Sequence, residues 1–191
     1  GARAGRDLQL SRDAPRDDTA RVLSRYLSAV VLRTHGHERL CALARAAGVP
    51  FINALTDKHH PCQLLADLMT IREHRPAGLD GLRVAWIGDG NNVSHSWIEA
   101  AGLVGFELHV ACPDAYAPAT DVVDAARATG RGRITLCADV DAAVHGADVV
   151  TTDVWASMGQ EDEHAVRKLA FAGYTVTGDR MSRAAPSAIF L

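Results

Sequence analysis

The stretch VPFINALTDKHHPCQLLAD, residues 49–67, decides how the rest of the chain is read. It opens on an apolar run, Val49 to Ile52, and breaks at Thr56 and Asp57. It resumes at Pro61, with Leu64, Leu65 and Leu68 on one helical face. Proline suits the first turn of a helix, where its missing N–H is not needed. The stretch is therefore the end of a buried strand, a short polar loop and the start of a helix. His60 and Gln63 sit at that helix start, where backbone N–H groups favour an anion. Two readings fit them. They hold a small phosphorylated or carbonyl substrate, or they are a cap and a loop residue with no ligand.

The same rhythm runs along the whole chain. Asp17-Asp18-Thr19 precedes apolar residues at helical spacing and starts a helix that reaches Leu27. Ala29 to Leu32 is a continuous apolar run, expected as a buried parallel strand ending at Arg33-Thr34. Glu38 to Ala47 is a helix with Gly48 as its C′ residue. The helix from Pro61 runs to about His74 and is stopped by Arg75-Pro76-Ala77-Gly78. Residues 82–87 begin a new sheet, followed by a helix from Ser94 to Leu103 and a strand from Glu107 to Ala111. A helix over Ala119–Thr129, a strand over Arg133–Cys137, a short helix over Asp139–Val144 and a strand over Gly146–Thr151 come next. A helix over Glu161–Phe171 and strands over Gly173–Val176 and Ala188–Leu191 complete the chain. Alternating strands and helices imply an α/β fold with parallel sheets. The boundary between two such domains is placed between Pro61 and Gly81. Residues 1–60 form the first domain, 61–80 the connecting helix and 81–191 the second domain.

Bulk properties narrow the function classes. Of 191 residues, 48% are hydrophobic, enough for a sizeable core, and the net charge of -3 gives no electrostatic case for nucleic acid or an anionic membrane. No apolar run approaches the roughly 20 residues that span a bilayer. Cys41, Cys62, Cys112 and Cys137 lie far apart, which argues against a zinc site or a disulfide framework and fits a reducing cytoplasm. The opening residues Gly-Ala-Arg-Ala-Gly-Arg have no apolar core for a signal peptide and no initiating Met, so the chain is expected to start inside a longer protein.

In parallel α/β sheets the ligand crevice lies beyond the carboxyl ends of the strands. Arg33 is therefore placed to meet an anion or a carbonyl oxygen, or else to form a surface ion pair. The turn Gly88-Asp89-Gly90-Asn91-Asn92-Val93 is superficially like a dinucleotide-binding turn. It lacks the third glycine that close helix–strand packing would need, so a nicotinamide cofactor is poorly supported. Asn91 and Asn92 either project amides into the crevice, able to bond a carboxylate, or serve the turn alone. The loop Thr152-Asp153-Val154-Trp155-Ala156-Ser157-Met158-Gly159-Gln160 follows another strand end and is a candidate lid. The alternative is that Trp155 and Met158 pack in the core while Asp153 and Ser157 cap the next helix.

Five runs taken together resemble the ornithine carbamoyltransferases of the aspartate/ornithine carbamoyltransferase superfamily. They are DDTARVLSRY (17–26), LRT (32–34), HPCQLLAD (60–67), GDGNNV (88–93) and DVWASMGQ (153–160), in the family's order and spacing. The Asn-Asn turn and the Ser-Met-Gly loop separate the chain from the aspartate-using relative. The resemblance implies two Rossmann-like parallel-sheet domains joined by a long helix, the first incomplete at its N-terminus. The family's Ser-x-Arg-Thr phosphate segment, its His-Cys-Leu-Pro segment and a late Arg are absent, so the chain is expected to be a middle segment, inactive alone. Gln9 matches a family glutamine, although Asp13 and Ala14 replace the Gly and Glu usual nearby.

The activity implied is transfer of the carbamoyl group of carbamoyl phosphate to the δ-amine of ornithine, giving citrulline and phosphate. By the same resemblance Arg33 and His60 donate hydrogen bonds to the carbonyl oxygen as charge grows on it. Gln63 accepts from the carbamoyl NH₂, and Gln9 reaches carbamoyl phosphate in a neighbouring subunit. Asn92 and the backbone N–H of Met158 hold the ornithine α-carboxylate. Asp153 and Ser157 receive the α-ammonium, and Asp153 also orients the δ-amine. The resemblance further implies a cytoplasmic homotrimer of amino-acid metabolism that uses no metal and no organic cofactor. Other amine acceptors, N-acetylornithine or putrescine, and a nucleotide-dependent oxidoreductase remain as rival readings.

Overall fold

A computed structural model describes residues 16–155 and 163–191. The chain divides into two compact units, 1–62 and 63–191. In the first, helix α1 (Arg16–Leu23) leads to strand β1 (Val30–Arg33), helix α2 (His37–Ala46) and strand β2 (Phe51–Leu55). β1 and β2 pair in parallel, Val30 opposite Phe51 and Leu32 opposite Asn53. The register then slips, and Arg33 faces Leu55. This one-residue bulge on β2 falls at the strand end where Arg33 emerges, the kind of place where bulges re-aim a side chain.

Helix α3 (Pro61–His74) begins in the first unit and runs into the second. Its Leu64, Leu68 and Ile71 belong to the core of the second unit. There the strands are β3 (Arg83–Ile87), β4 (Glu107–Ala111), β5 (Arg133–Cys137), β6 (Val149–Thr151) and β7 (Ile189–Phe190). Every pairing is parallel and the order is β5-β4-β3-β6-β7. The helices are α4 (Asn92–Val104), α5 (Thr120–Ala128), α6 (Val140–Val144), α7 (His164–Ala170) and α8 (Gly178–Met181).

Period-two alternation in β3 gives each face of the sheet its own core. Val84 and Trp86 join Leu108, Val110 and Val149 under α3, α4 and α5, through Trp97, Ile98, Val122 and Val123. Ala85 and Ile87 join Ala111 and Val150 under α6. Burial on both faces explains why these strands read as near-continuous apolar runs. On this face the sheet presents Ala85 and Ala111 to Ala143 of α6 and to Ala147 just after it, and these small side chains let α6 lie close.

Two local expectations fail, each for a visible reason. Gly48 is not a left-handed C′ residue. α2 ends at Ala47 in extended conformation (ψ 149°), and the Gly48 N–H donates to Ser24 Oγ at 2.9 Å. Pro50 follows closely and biases Val49 toward extended backbone. Gly173–Val176 forms no strand, because the place beside β6 is taken by β7. Tyr174 and Val176 instead pack as side chains against the α6 face, and Thr177 caps α8 by accepting from the Arg180 N–H.

Candidate functional site

The order β5-β4-β3-β6-β7 reverses direction between β3 and β6. Such a switch point opens a crevice outside the carboxyl ends of the strands, where ligands of open α/β sheets bind. The two segments that leave β3 and β6 at this point are 88–92 and 152–155, which carry Asn92 and Asp153.

The β3 turn is shaped by its glycines. Gly88 has φ 146°, unfavourable for a side chain. A Cβ on Gly90 would overlap the backbone of Tyr116 to Pro118, and the Gly90 N–H donates to Tyr116 O at 2.8 Å. The chain itself thus fills the space against Gly90 that a pyrophosphate would need. Asn91 takes the N-cap of α4. Its Oδ1 accepts from the Val93 and Ser94 N–H groups at 3.0 and 3.1 Å. Those are helix-start donors a dinucleotide phosphate would use, so the nucleotide reading loses its anion site as well as its third glycine.

The other end of the Asn91 amide faces Asp153. Nδ2 donates to Asp153 Oδ2 at 3.0 Å, while Asp153 Oδ1 accepts from the Val154 N–H at 2.7 Å. One asparagine therefore sets both the helix bearing Asn92 and the carboxylate at the end of β6. Thr152 Oγ donates to Ile87 O at 2.6 Å and ties the same two strand ends together.

A buried ion pair sits behind them. Arg167 of α7 donates to Asp89 Oδ2 at 2.6 Å and to Trp155 O at 3.0 Å through Nη1, and to Glu163 at 2.9 Å through Nε. Its guanidinium lies 4.8 Å over the Tyr116 ring. The Arg167 and Asp89 side chains are only 8% and 12% exposed. Burial pushes the Asp89 carboxyl above its ordinary value, and the Arg167 hydrogen bond opposes that rise. Trp155 stacks on Phe171 with centroids 5.8 Å apart and planes 12° apart. A cavity of about 630 Å³ opens beside Asp153, Trp155, Arg167, Tyr174 and Phe190.

In the first unit, Arg33 is exposed at the end of β1 and His60 is half-buried just before α3. Thr56 lies between the two strand-end loops, fully buried. Its Oγ accepts from the His59 N–H at 3.1 Å and shares a hydrogen bond with His37 Nδ1 at 3.0 Å. Asp57 Oδ1 accepts from the His37 N–H at 3.0 Å, and the Asp57 N–H donates to His35 O at 3.0 Å. Gln63, the first residue of the second unit, sits in the first turn of α3, its amide donating to Asp67 at 2.9 Å.

The sequence-predicted residues thus fall into two groups. Arg33 ends β1 and His60 ends the loop after β2 in the first unit, while Asn92 and Asp153 share the switch point of the second unit, which Gln63 opens on α3. Gln9, Ser157 and Met158 lie outside the described residues, as does most of the candidate lid. Trp155, a lid or core residue by sequence, packs on Phe171. Asp89 with Arg167, Asn91 as the link to Asp153, and Thr56 as a hub emerge from the fold. The Asn-Asn doublet ahead of a helix was the only signal of these three in the sequence, since asparagine is a preferred N-cap.

Two family models match this chain. The aspartate/ornithine carbamoyltransferase Asp/Orn binding domain covers residues 80–191, and the carbamoyl-P binding domain of the same enzymes covers residues 2–73. An ornithine carbamoyltransferase of Halorhodospira halophila is 54% identical over 186 residues, spanning 97% of this chain and 60% of the relative. That of Desulfotalea psychrophila is 52% identical over 188 residues, spanning 98% and 62%. Among solved structures, the anabolic ornithine carbamoyltransferase of Campylobacter jejuni matches with a TM-score of 0.90 at 39% identity, over 97% of this chain and 62% of that one. The Pyrococcus furiosus enzyme matches at 0.88 and 44%, over 97% and 60%. The chain therefore spans about 60% of the length of the curated relatives it matches.

Proposed function

The chain belongs to the aspartate/ornithine carbamoyltransferase family, and from that premise we propose that its protein transfers the carbamoyl group of carbamoyl phosphate to the δ-amine of L-ornithine. The products are L-citrulline and phosphate. The observation that carries the acceptor assignment is the Asn91–Asp153 hydrogen bond at the switch point. It sets a carboxylate and the start of α4, with Asn92, on the same strand-end crevice. A carboxylate and a carboxamide suit the two ends of an α-amino acid: Asp153 receives the ammonium, Asn92 the carboxylate.

The reaction begins with the neutral δ-amine attacking the carbonyl carbon. Negative charge grows on the carbonyl oxygen as the C–N bond forms, phosphate leaves as the C–O bond breaks, and the proton lost by the attacking nitrogen ends on the departing phosphate. Arg33 and His60 donate to that oxygen, which stabilises charge present chiefly in the transition state. Gln63 accepts from the carbamoyl NH₂ and fixes the plane of the group under attack. Gln9 contacts carbamoyl phosphate across a subunit boundary, and Ser157 and Met158 complete the grip on ornithine. Phosphate is already a good leaving group, so no metal or organic cofactor enters the scheme. The attacking amine must be deprotonated, so the rate rises with pH as ornithine loses its δ-proton. The protein works as a cytoplasmic homotrimer in arginine metabolism.

The test is citrulline formation by the natural protein that carries this sequence. Carbamoyl phosphate is supplied with ornithine, N-acetylornithine, putrescine or aspartate in parallel. Turnover with ornithine alone is expected. Turnover with another acceptor instead moves the assignment to that amine, and a carbamoylation rate at background with all four defeats it.

A further inference from the structure

We propose that Thr56 is a positioning residue for carbamoyl transfer, a hub that locks the Arg33 and His60 loops to one another. The inference rests on the roles given above to Arg33 and His60. It explains how two donors from different strand ends keep one geometry.

The hub is complete within the first unit. Thr56 is 0% exposed and His59 is 8% exposed, so neither group is there to meet water. The Thr56 N–H donates to His59 O at 2.9 Å, and Thr56 Oγ accepts from the His59 N–H at 3.1 Å. The His59 carbonyl belongs to the peptide that leads into His60. Anchoring both polar groups of residue 59 therefore fixes the direction in which the chain enters His60 and Pro61. The same Oγ reaches across to His37 Nδ1 at 3.0 Å, and the His37 and His59 rings meet edge to face at 5.0 Å. His37 starts α2, three residues beyond Thr34, whose N–H donates to Leu55 O at 3.1 Å as the last rung beyond β1. Asp57 closes the loop from outside, bonding the His37 N–H and the His35 carbonyl. Cutting the hydroxyl removes the link from Thr56 Oγ to His37 and to the His59 N–H, the bonds that tie the start of α2 to the approach to His60.

Thr56→Val keeps the shape and removes the hydroxyl, whereas Thr56→Ser keeps the hydroxyl and removes a methyl. In the natural protein, Thr56→Val is expected to lower kcat by about 100-fold, the cost of misplacing reacting groups by an ångström. Its KM for ornithine stays within about twofold, and Thr56→Ser recovers activity to within about threefold of the parent, because the hydroxyl geometry is retained. Asp57→Ala, at a side chain 47% exposed, reads the same link without opening the core and is expected to lower kcat in the same direction. Parental kcat in Thr56→Val overturns the proposal, as does equal loss in the Val and Ser variants. If Thr56→Val does not fold, parental kcat in Asp57→Ala overturns it. Histidine ¹⁵N resonances separate this inference from the reading beneath it. If the parent forms no citrulline, the family activity fails, and the hub is judged by whether Thr56→Val shifts the His37 and His60 signals together; an unmoved His60 signal refutes it.

Discussion

The loops that leave β1 and β2 and the loops that leave β3 and β6 do the same architectural job by different chemistry. In the first unit the strand ends are joined by hydroxyl, imidazole and backbone groups converging on Thr56. In the second they are joined by the Asn91 carboxamide, backed by the Asp89–Arg167 ion pair. The difference follows from what each side is read as holding. A crevice that receives an ammonium needs a carboxylate whose charge is not already cancelled. Arg167 is spent on Asp89 and Glu163, while the bonds to Asp153 come from the neutral Asn91 amide and the Val154 N–H. Among the described residues, the scaffold thus fixes Asp153 without neutralising it. On the other side the groups read as facing the substrate are donors, Arg33 and His60, and the strand ends behind them are tied through the Thr56 hydroxyl, the His37 imidazole and backbone groups.

Each half of this contrast can be broken separately. Arg33→Ala is expected to have the largest effect, lowering kcat by about 100- to 1,000-fold, the usual loss on removing a donor to a developing oxyanion. The change is at an exposed position, so thermal unfolding should move little; parental turnover would contradict the donor role. Arg167→Met comes next and acts through stability. Removing one partner of a buried pair strands the other, at about 3–5 kcal/mol. Adding Asp89→Asn in the same chain should return most of that loss, measured by denaturant unfolding. If the double variant is as unstable as the single, the ion pair is not what the site is built on.

The smallest effect lies away from both crevices. Glu107 accepts a hydrogen bond from His109 Nε2 at 2.8 Å, and that bond holds its carboxyl below the ordinary value. A depressed carboxyl stabilises the fold above its unfolded-state pKa, and the gain disappears as pH falls through the lowered, folded-state pKa. Glu107→Gln should therefore unfold at lower temperature than the parent near neutral pH, with the gap closing in acid. A gap that widens in acid would reverse the sign assigned here.

Much of the fold was legible because its strands are short apolar runs with clear stops. β4 and β5 occupy the predicted Glu107–Ala111 and Arg133–Cys137, and α3 spans Pro61–His74 as expected. The false strand at Gly173–Val176 carried the same kind of signal. Tyr174 and Val176 are apolar because they cover the α6 face, and no local pattern distinguishes that from a strand. The site was less legible for a simple reason of distance. Asp89 and Arg167 are 78 residues apart, and Asn91 and Asp153 are 62 apart, so their pairing is a product of the sheet order. Thr56 was read as loop punctuation, although it is the most buried polar residue of its loop. Its importance comes from partners 19 residues upstream and 3 downstream, which a window along the chain does not join.

The division of labour between the two units is tested most directly by steady-state kinetics of His60→Ala and Asn92→Ala in the natural protein, with each substrate varied at saturation of the other. His60→Ala is expected to lower kcat and leave the ornithine KM unchanged. Asn92→Ala is expected to raise the ornithine KM and leave the carbamoyl phosphate KM unchanged. An ornithine KM that rises in His60→Ala and stays parental in Asn92→Ala would contradict that division.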